Sequence, residues 1–117
     1  MTLEELLGNM IEKYGEDEFT WGFVPPAQSE GPLVRELYSE LSETHPLRNH
    51  NIRLALAKCY ANDDVLFLGE DGAYYIVHLT YSKTNSLGYP RYLEFLNLEA
   101  AMTHIEEQYL LSLNVEV

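Results

Sequence analysis

Cysteine occurs once, at Cys59, in a chain of 117 residues. A single thiol excludes both an intrachain disulfide and a cysteine-rich zinc site. Basic residues are scarce: 7 Lys and Arg stand against 19 Asp and Glu, a net charge of −12. With no basic cluster to offset it, that field repels nucleic-acid phosphates and anionic lipid, so neither is an expected partner. No apolar run approaches the ~20 residues that span a bilayer. The opening MTLEELLGNM carries Glu where a secretory signal has Lys or Arg, so the chain reads as cytosolic. Patterns that bind cofactors or activate nucleophiles (HExxH, paired Cys, calcium loops, GxSxG, P-loops, dinucleotide fingerprints) are also missing. His45, His50, His78 and His104 lack ligand spacing, so no metal and no cofactor is expected.

What is present suits one globular domain over residues 1–117. The apolar content is 46%, enough to bury a core. Leu3, Leu6, Leu7, Met10, Ile11 and Tyr14 recur at helical spacing. Thr2 and Glu5 form a capping box before that stripe, and Gly15 stands where a left-handed C-terminal cap is wanted. A second helix starts at Pro32, burying Leu33, Val34, Leu37, Tyr38 and Leu41, with Glu36, Glu40 and Glu43 outward; His45-Pro46 ends it. Between the two helices Phe19, Trp21 and Phe23 alternate with small residues before Pro25-Pro26. Trp21 and Phe23 are either an exposed docking pair or aromatics folded back over the core.

From residue 52 the pattern turns to strands. Residues 52–60 alternate, yet their Ala, Leu and Lys also suit a helix. Ala61-Asn62-Asp63-Asp64 is a turn, 65–68 a strand, and Gly69-Glu70-Asp71-Gly72 a hairpin turn. Residues 73–81 form the strand richest in aromatic and β-branched side chains. A polar loop from Ser82 to Gly88, a strand at 92–96 and a helix capped by Asn97 follow. Leu111, Leu113, Val115 and Val117 then alternate, as a closing strand or an unpaired end. The expected fold is α+β: an antiparallel sheet of about four strands, with the two N-terminal helices and the C-terminal helix packed on one face.

His45-Pro46-Leu47, Asp63-Asp64-Val65-Leu66-Phe67 and Val77-His78-Leu79-Thr80-Tyr81-Ser82, in that order, resemble a group of small uncharacterised bacterial proteins with HPL, DDVLF and VHLTWS motifs. The resemblance covers about residues 33–110, and Tyr81 replaces the group's usual Trp. It implies the order of elements and a strand over 52–60, and it implies no activity. A looser analogy, in acidity and fold class alone, is to toxin-immunity proteins of the Smi1/Knr4-like superfamily.

The polar residues of these motifs are the ligand-binding candidates. On a strand that hides Val77, Leu79 and Tyr81, the side chains of His78, Thr80 and Ser82 form a ridge on the other side. Such a ridge could hold a ligand or move a proton, or simply bond its neighbours and fix register. Asp63 and Asp64 are adjacent, so they point apart and form no shared-proton dyad; one could pair with His78 or Arg53, or both could cap the turn. No residue is singled out as catalytic. Three functions follow. The first is a non-enzymatic interaction protein, immunity- or antitoxin-like, with a basic protein as partner. The second is a small ligand-binding domain or enzyme using His78, Thr80 and an Asp. The third is a structural subunit that associates as a homodimer through aromatics such as Trp21, Phe23, Tyr89 and Tyr92.

Overall fold

The computed structural model describes residues 1–82 and 88–114. In chain order the elements are α1 (Leu3–Tyr14), β1 (Trp21–Phe23), α2 (Pro32–Glu40), β2 (Ile52–Cys59), β3 (Asp64–Gly69), β4 (Tyr74–His78), β5 (Tyr92–Phe95) and α3 (Leu98–Asn114), with short 3-10 turns at Pro26–Gln28 and Pro46–Asn49. The strands form one five-stranded sheet in sequence order, every neighbour antiparallel. The α+β meander expected from the sequence is present, with Trp21–Phe23 as a fifth strand along the edge of β2.

The expected single covered face is instead two. On one side α1 and α3 bury Leu7, Met10, Met102, Ile105 and Tyr109 against Trp21, Ala57, Cys59, Leu66 and Ile76. On the other, α2 and the turn after it bury Leu37, Leu41 and Leu47 against Ile52, Ala55, Val65, Phe67, Tyr75 and Val77. The reason lies in β3 and β4, whose continuous apolar runs put large side chains on both faces of the pleat, so both need covering. Strand β2 serves both layers: register shifts between Ile52 and Leu54 and between Ala55 and Ala57 turn its first half toward α2 and its second half toward α1 and α3.

The helix starts behave as the sequence indicates. Thr2 Oγ1 accepts the Glu5 N–H at 3.2 Å, and Asn97 Oδ1 accepts the Ala100 N–H at 2.8 Å. In the β3–β4 hairpin Gly72 takes φ +83°, and Gly69 has no room for a side chain, since a Cβ there would lie 2.7 Å from Asp71 Oδ1.

Three segments depart from expectation. Helix α2 ends at Glu40, before His45-Pro46, because the Arg48 side chain reaches back to the carbonyls of Tyr38, Leu41 and Ser42 and satisfies the end of the helix. Strand β4 ends at His78, short of Tyr81, where the Thr80 and Tyr81 amides turn to the Glu40 carboxylate. Helix α3 runs through 111–114, where alternation suggested a strand or loose end; Leu111 and Leu113 lie exposed on its last turn, and 115–117 fall outside the described residues.

Candidate functional site

The ridge expected at His78, Thr80 and Ser82 requires β4 to continue, and it does not. Glu40, at the end of α2, is 4% exposed. Its Oε1 accepts the Thr80 N–H at 2.7 Å and the Thr80 hydroxyl at 2.9 Å, and its Oε2 accepts the Tyr81 N–H at 2.9 Å. To present both amides to one carboxylate the chain turns out of the strand, with Tyr81 at φ +54°. Thr80 is thereby drawn to the α2 face, and its Oγ1 accepts the Ser82 N–H at 3.2 Å. Glu40 was expected to look outward; in the fold it fastens α2 to the end of the sheet. Burial opposes its ionisation, but hydrogen bonds from Glu36, Thr80 and Tyr81 outweigh that and hold its carboxyl below the ordinary range. The same contact pushes Glu36 up to about 7, through hydrogen bonding with Glu40 and partial burial.

His45 is a fastener of the same kind. Buried, it accepts the Leu47 N–H at Nδ1 (3.1 Å) and so donates from Nε2 to the Pro90 carbonyl (3.0 Å). His50 sits with Tyr75 and Asp71: Tyr75 Oη donates to Asp71 Oδ2 at 2.8 Å, and His50 Nδ1 lies 3.1 Å from the same oxygen. The Ala73 N–H and then Tyr75 hold the Asp71 carboxyl low, while burial and Asp71 push the Tyr75 phenol up. These three residues brace the β3–β4 hairpin against the start of β2.

His78 faces the other way. It pairs in register with Asp64, and its Nδ1 lies 2.7 Å from Asp64 Oδ1. An aspartate can only accept, so Nδ1 carries the proton, and Nε2 has no partner among the described residues. The Asp64 N–H is itself held by Asn62 Oδ1 at 2.8 Å, the Asx turn expected of this sequence. Asp63 contributes its carbonyl to Leu79 N–H at 3.1 Å, and its side chain is exposed. Asp64, Ile76 and His104 line two adjoining clefts of about 280 and 430 Å³ beside α3. The larger also takes in His78, Arg91, Tyr92 and Leu93. Sequence reasoning missed Arg91. The register of β5 would have found it, because the His78 N–H bonds the Arg91 carbonyl at 3.0 Å.

Trp21 and Phe23, the interaction candidates, are not an exposed pair. Trp21 is 6% exposed within the α1/α3 core, and only Phe23 reaches the surface. Among the described residues no group of three or more His, Cys, Asp or Glu is placed to hold a metal ion, and no helix is long and apolar enough to cross a membrane.

Charge is unevenly spread. Helices α1 and α3 contain one Lys or Arg between them, Lys13, and it is engaged with Glu106 at 3.3 Å. Exposed Glu4, Glu12, Glu16, Asp17, Glu18 and Glu107 have no cationic partner among the described residues. Of the other described basic residues, Arg35 lies on α2, Arg48 on the turn after it, Arg53 and Lys58 on β2, and Arg91 just before β5.

No protein-family model matches this chain, nor does any curated protein or solved structure.

Proposed function

We propose that this is a cytoplasmic, non-enzymatic binding protein whose partner is a basic protein, with immunity- or antitoxin-like neutralisation as its concrete form. The observation that supports it is the carboxylate surface along α1, the turn at 16–18 and α3, where the two cations among the described residues, Lys13 and the N-terminal ammonium, are each engaged by a glutamate of α3 and the remaining acids lack a cationic partner. Such a surface steers a cationic partner and fixes its orientation more than it adds raw affinity. Fastening Thr80 and His45 into the fold leaves fewer groups for chemistry, which favours binding over catalysis.

A labelled decalysine peptide serves as the probe, with affinity followed against NaCl concentration. Reversal of Glu12, Glu16 and Asp17 to Lys should weaken binding about tenfold or more at low salt, while reversal of Glu30, Glu43 and Glu70 to Lys should weaken it less than about threefold. Equal losses from the two triple variants would mean a diffuse field that only keeps the protein in solution, and the reading would fall.

A further inference from the structure

The larger cleft beside α3 carries an inference that is independent of the acidic surface. We infer that it is a binding site for a small oxyanion, a carboxylate or a phosphate monoester, anchored by Arg91 with the imidazoles of His78 and His104 as flanking donors. The cleft is open to solvent and offers about 430 Å³, a volume suited to a small metabolite. Its polar lining is unusual for a chain with 19 acids and 7 bases: one guanidinium, two imidazoles and the Tyr92 phenol beside a single carboxylate.

That carboxylate is already committed. Asp64 Oδ1 holds His78 Nδ1 at 2.7 Å, which fixes the ring and leaves Nε2 without a partner among the described residues. Protonated, His78 makes a neutral pair with Asp64 and presents Nε2–H as a donor. The His104 ring packs on Phe95 with centroids 5.4 Å apart and makes no hydrogen bond among the described residues. The Arg91 guanidinium lies 4.9 Å from the Tyr89 ring centre, steadied by a cation–π contact, and has no carboxylate within ion-pair distance among the described residues. A planar guanidinium with free N–H groups suits the paired oxygens of a carboxylate or phosphate.

The four histidines make the test internally controlled. Ring Cε1–H resonances would be followed by NMR at pH 6 during titration with sodium phosphate and, separately, sodium acetate, at ionic strength held constant with NaCl. His78 and His104 should shift along a saturable curve while His45 and His50 stay still. Saturation with phosphate alone assigns a phosphate ligand, with acetate alone a carboxylate, and with both a general oxyanion site; each supports the inference. Arg91→Gln, at an exposed position, should weaken the response about tenfold or more with the amide spectrum preserved. Linear drift in both titrations, equal movement of His50, or a saturable response that survives Arg91→Gln would overturn it.

Discussion

The sheet face under α2 and the face under α1 and α3 both bury a full apolar layer, yet they use polar residues in opposite ways. Under α2, Glu40, His45, Arg48 and Tyr38 each reach from a helix or turn to backbone groups elsewhere in the chain, and every one of those bonds joins segments that strand pairing does not join. Beside α3, His78, His104 and Arg91 extend toward an open cleft and hold nothing in place with their free atoms. The difference follows from connectivity. The α2 side is built from loops between short elements, whose buried amides and carbonyls must find partners. The α1/α3 side is built from two regular helices that satisfy their own backbones, so its core contact is apolar and its polar ties, Tyr14 and Lys13 to Glu106, join side chains and leave backbone groups alone.

Substitutions should separate the two faces by the kind of contact removed. Truncating the core should not distinguish the faces: Leu37→Ala and Ile105→Ala should each cost about 2–5 kcal/mol in urea unfolding. A marked inequality would show that one layer is dispensable. Polar truncation should separate them. Glu40→Gln keeps the volume but sets an amide NH₂ against the Tyr81 or Thr80 N–H, and His45→Ala strands the Leu47 N–H and the Pro90 carbonyl; about 2–3 kcal/mol is expected for each.

A smaller effect is set by pH. Glu36 has a folded-state pKa of about 7 against an ordinary 4.5. Between those values the folded protein holds the extra proton, so stability falls as pH rises from about 4.5 to about 7. Glu40 works in the other direction: its carboxyl is lowered, so its contribution is present above its ordinary pKa and is lost as the solution is acidified. Stability should therefore peak in mild acid. Glu36→Gln, which can donate to Glu40 at any pH, should flatten the slope between pH 5 and 8 and gain about 1 kcal/mol at pH 8, after discounting for solvent screening at this partly exposed site. An unchanged slope in the variant would remove Glu36 as its source. Least affected should be His78→Gln and Asp64→Asn, an exposed pair expected to move stability by about 0.5 kcal/mol or less. A larger loss would place that pair among the fasteners.

Much of the architecture was legible because it rests on local signals: the capping box at Thr2, the apolar stripe of α1, the Asp-Gly hairpin at 71–72 and the tyrosine-rich β4. Two faces were missed because a period of two marks which residues share a side and is silent on whether the second side is also covered. The site was legible only in part. Pairing of His78 with one of the two aspartates was among the expectations, and the hairpin at 69–72 that folds β4 back along β3 sets Asp64 opposite His78. The ridge with Thr80 was not realised, because the end of β4 is decided by a carboxylate 40 residues away in sequence. Helical spacing alone could have flagged Glu40, which stands seven residues after Leu33 and three after Leu37 on the buried stripe; reading it as outward followed its charge rather than its position. Arg91 and His104 join the cleft through β5 register and α3 packing, both tertiary.

Amide hydrogen exchange at Thr80 and Tyr81 tests most directly whether side chains under α2 hold loops that pairing leaves free. These two amides lie beyond the end of β4, so their protection depends on the Glu40 carboxylate. Exchange as slow as that of the β3 and β4 core amides, lost in Glu40→Gln while core protection at Phe67 and Val77 persists, is the predicted result. Rapid exchange at Thr80 and Tyr81 in the unmodified protein, at rates ordinary for a surface loop, would contradict it.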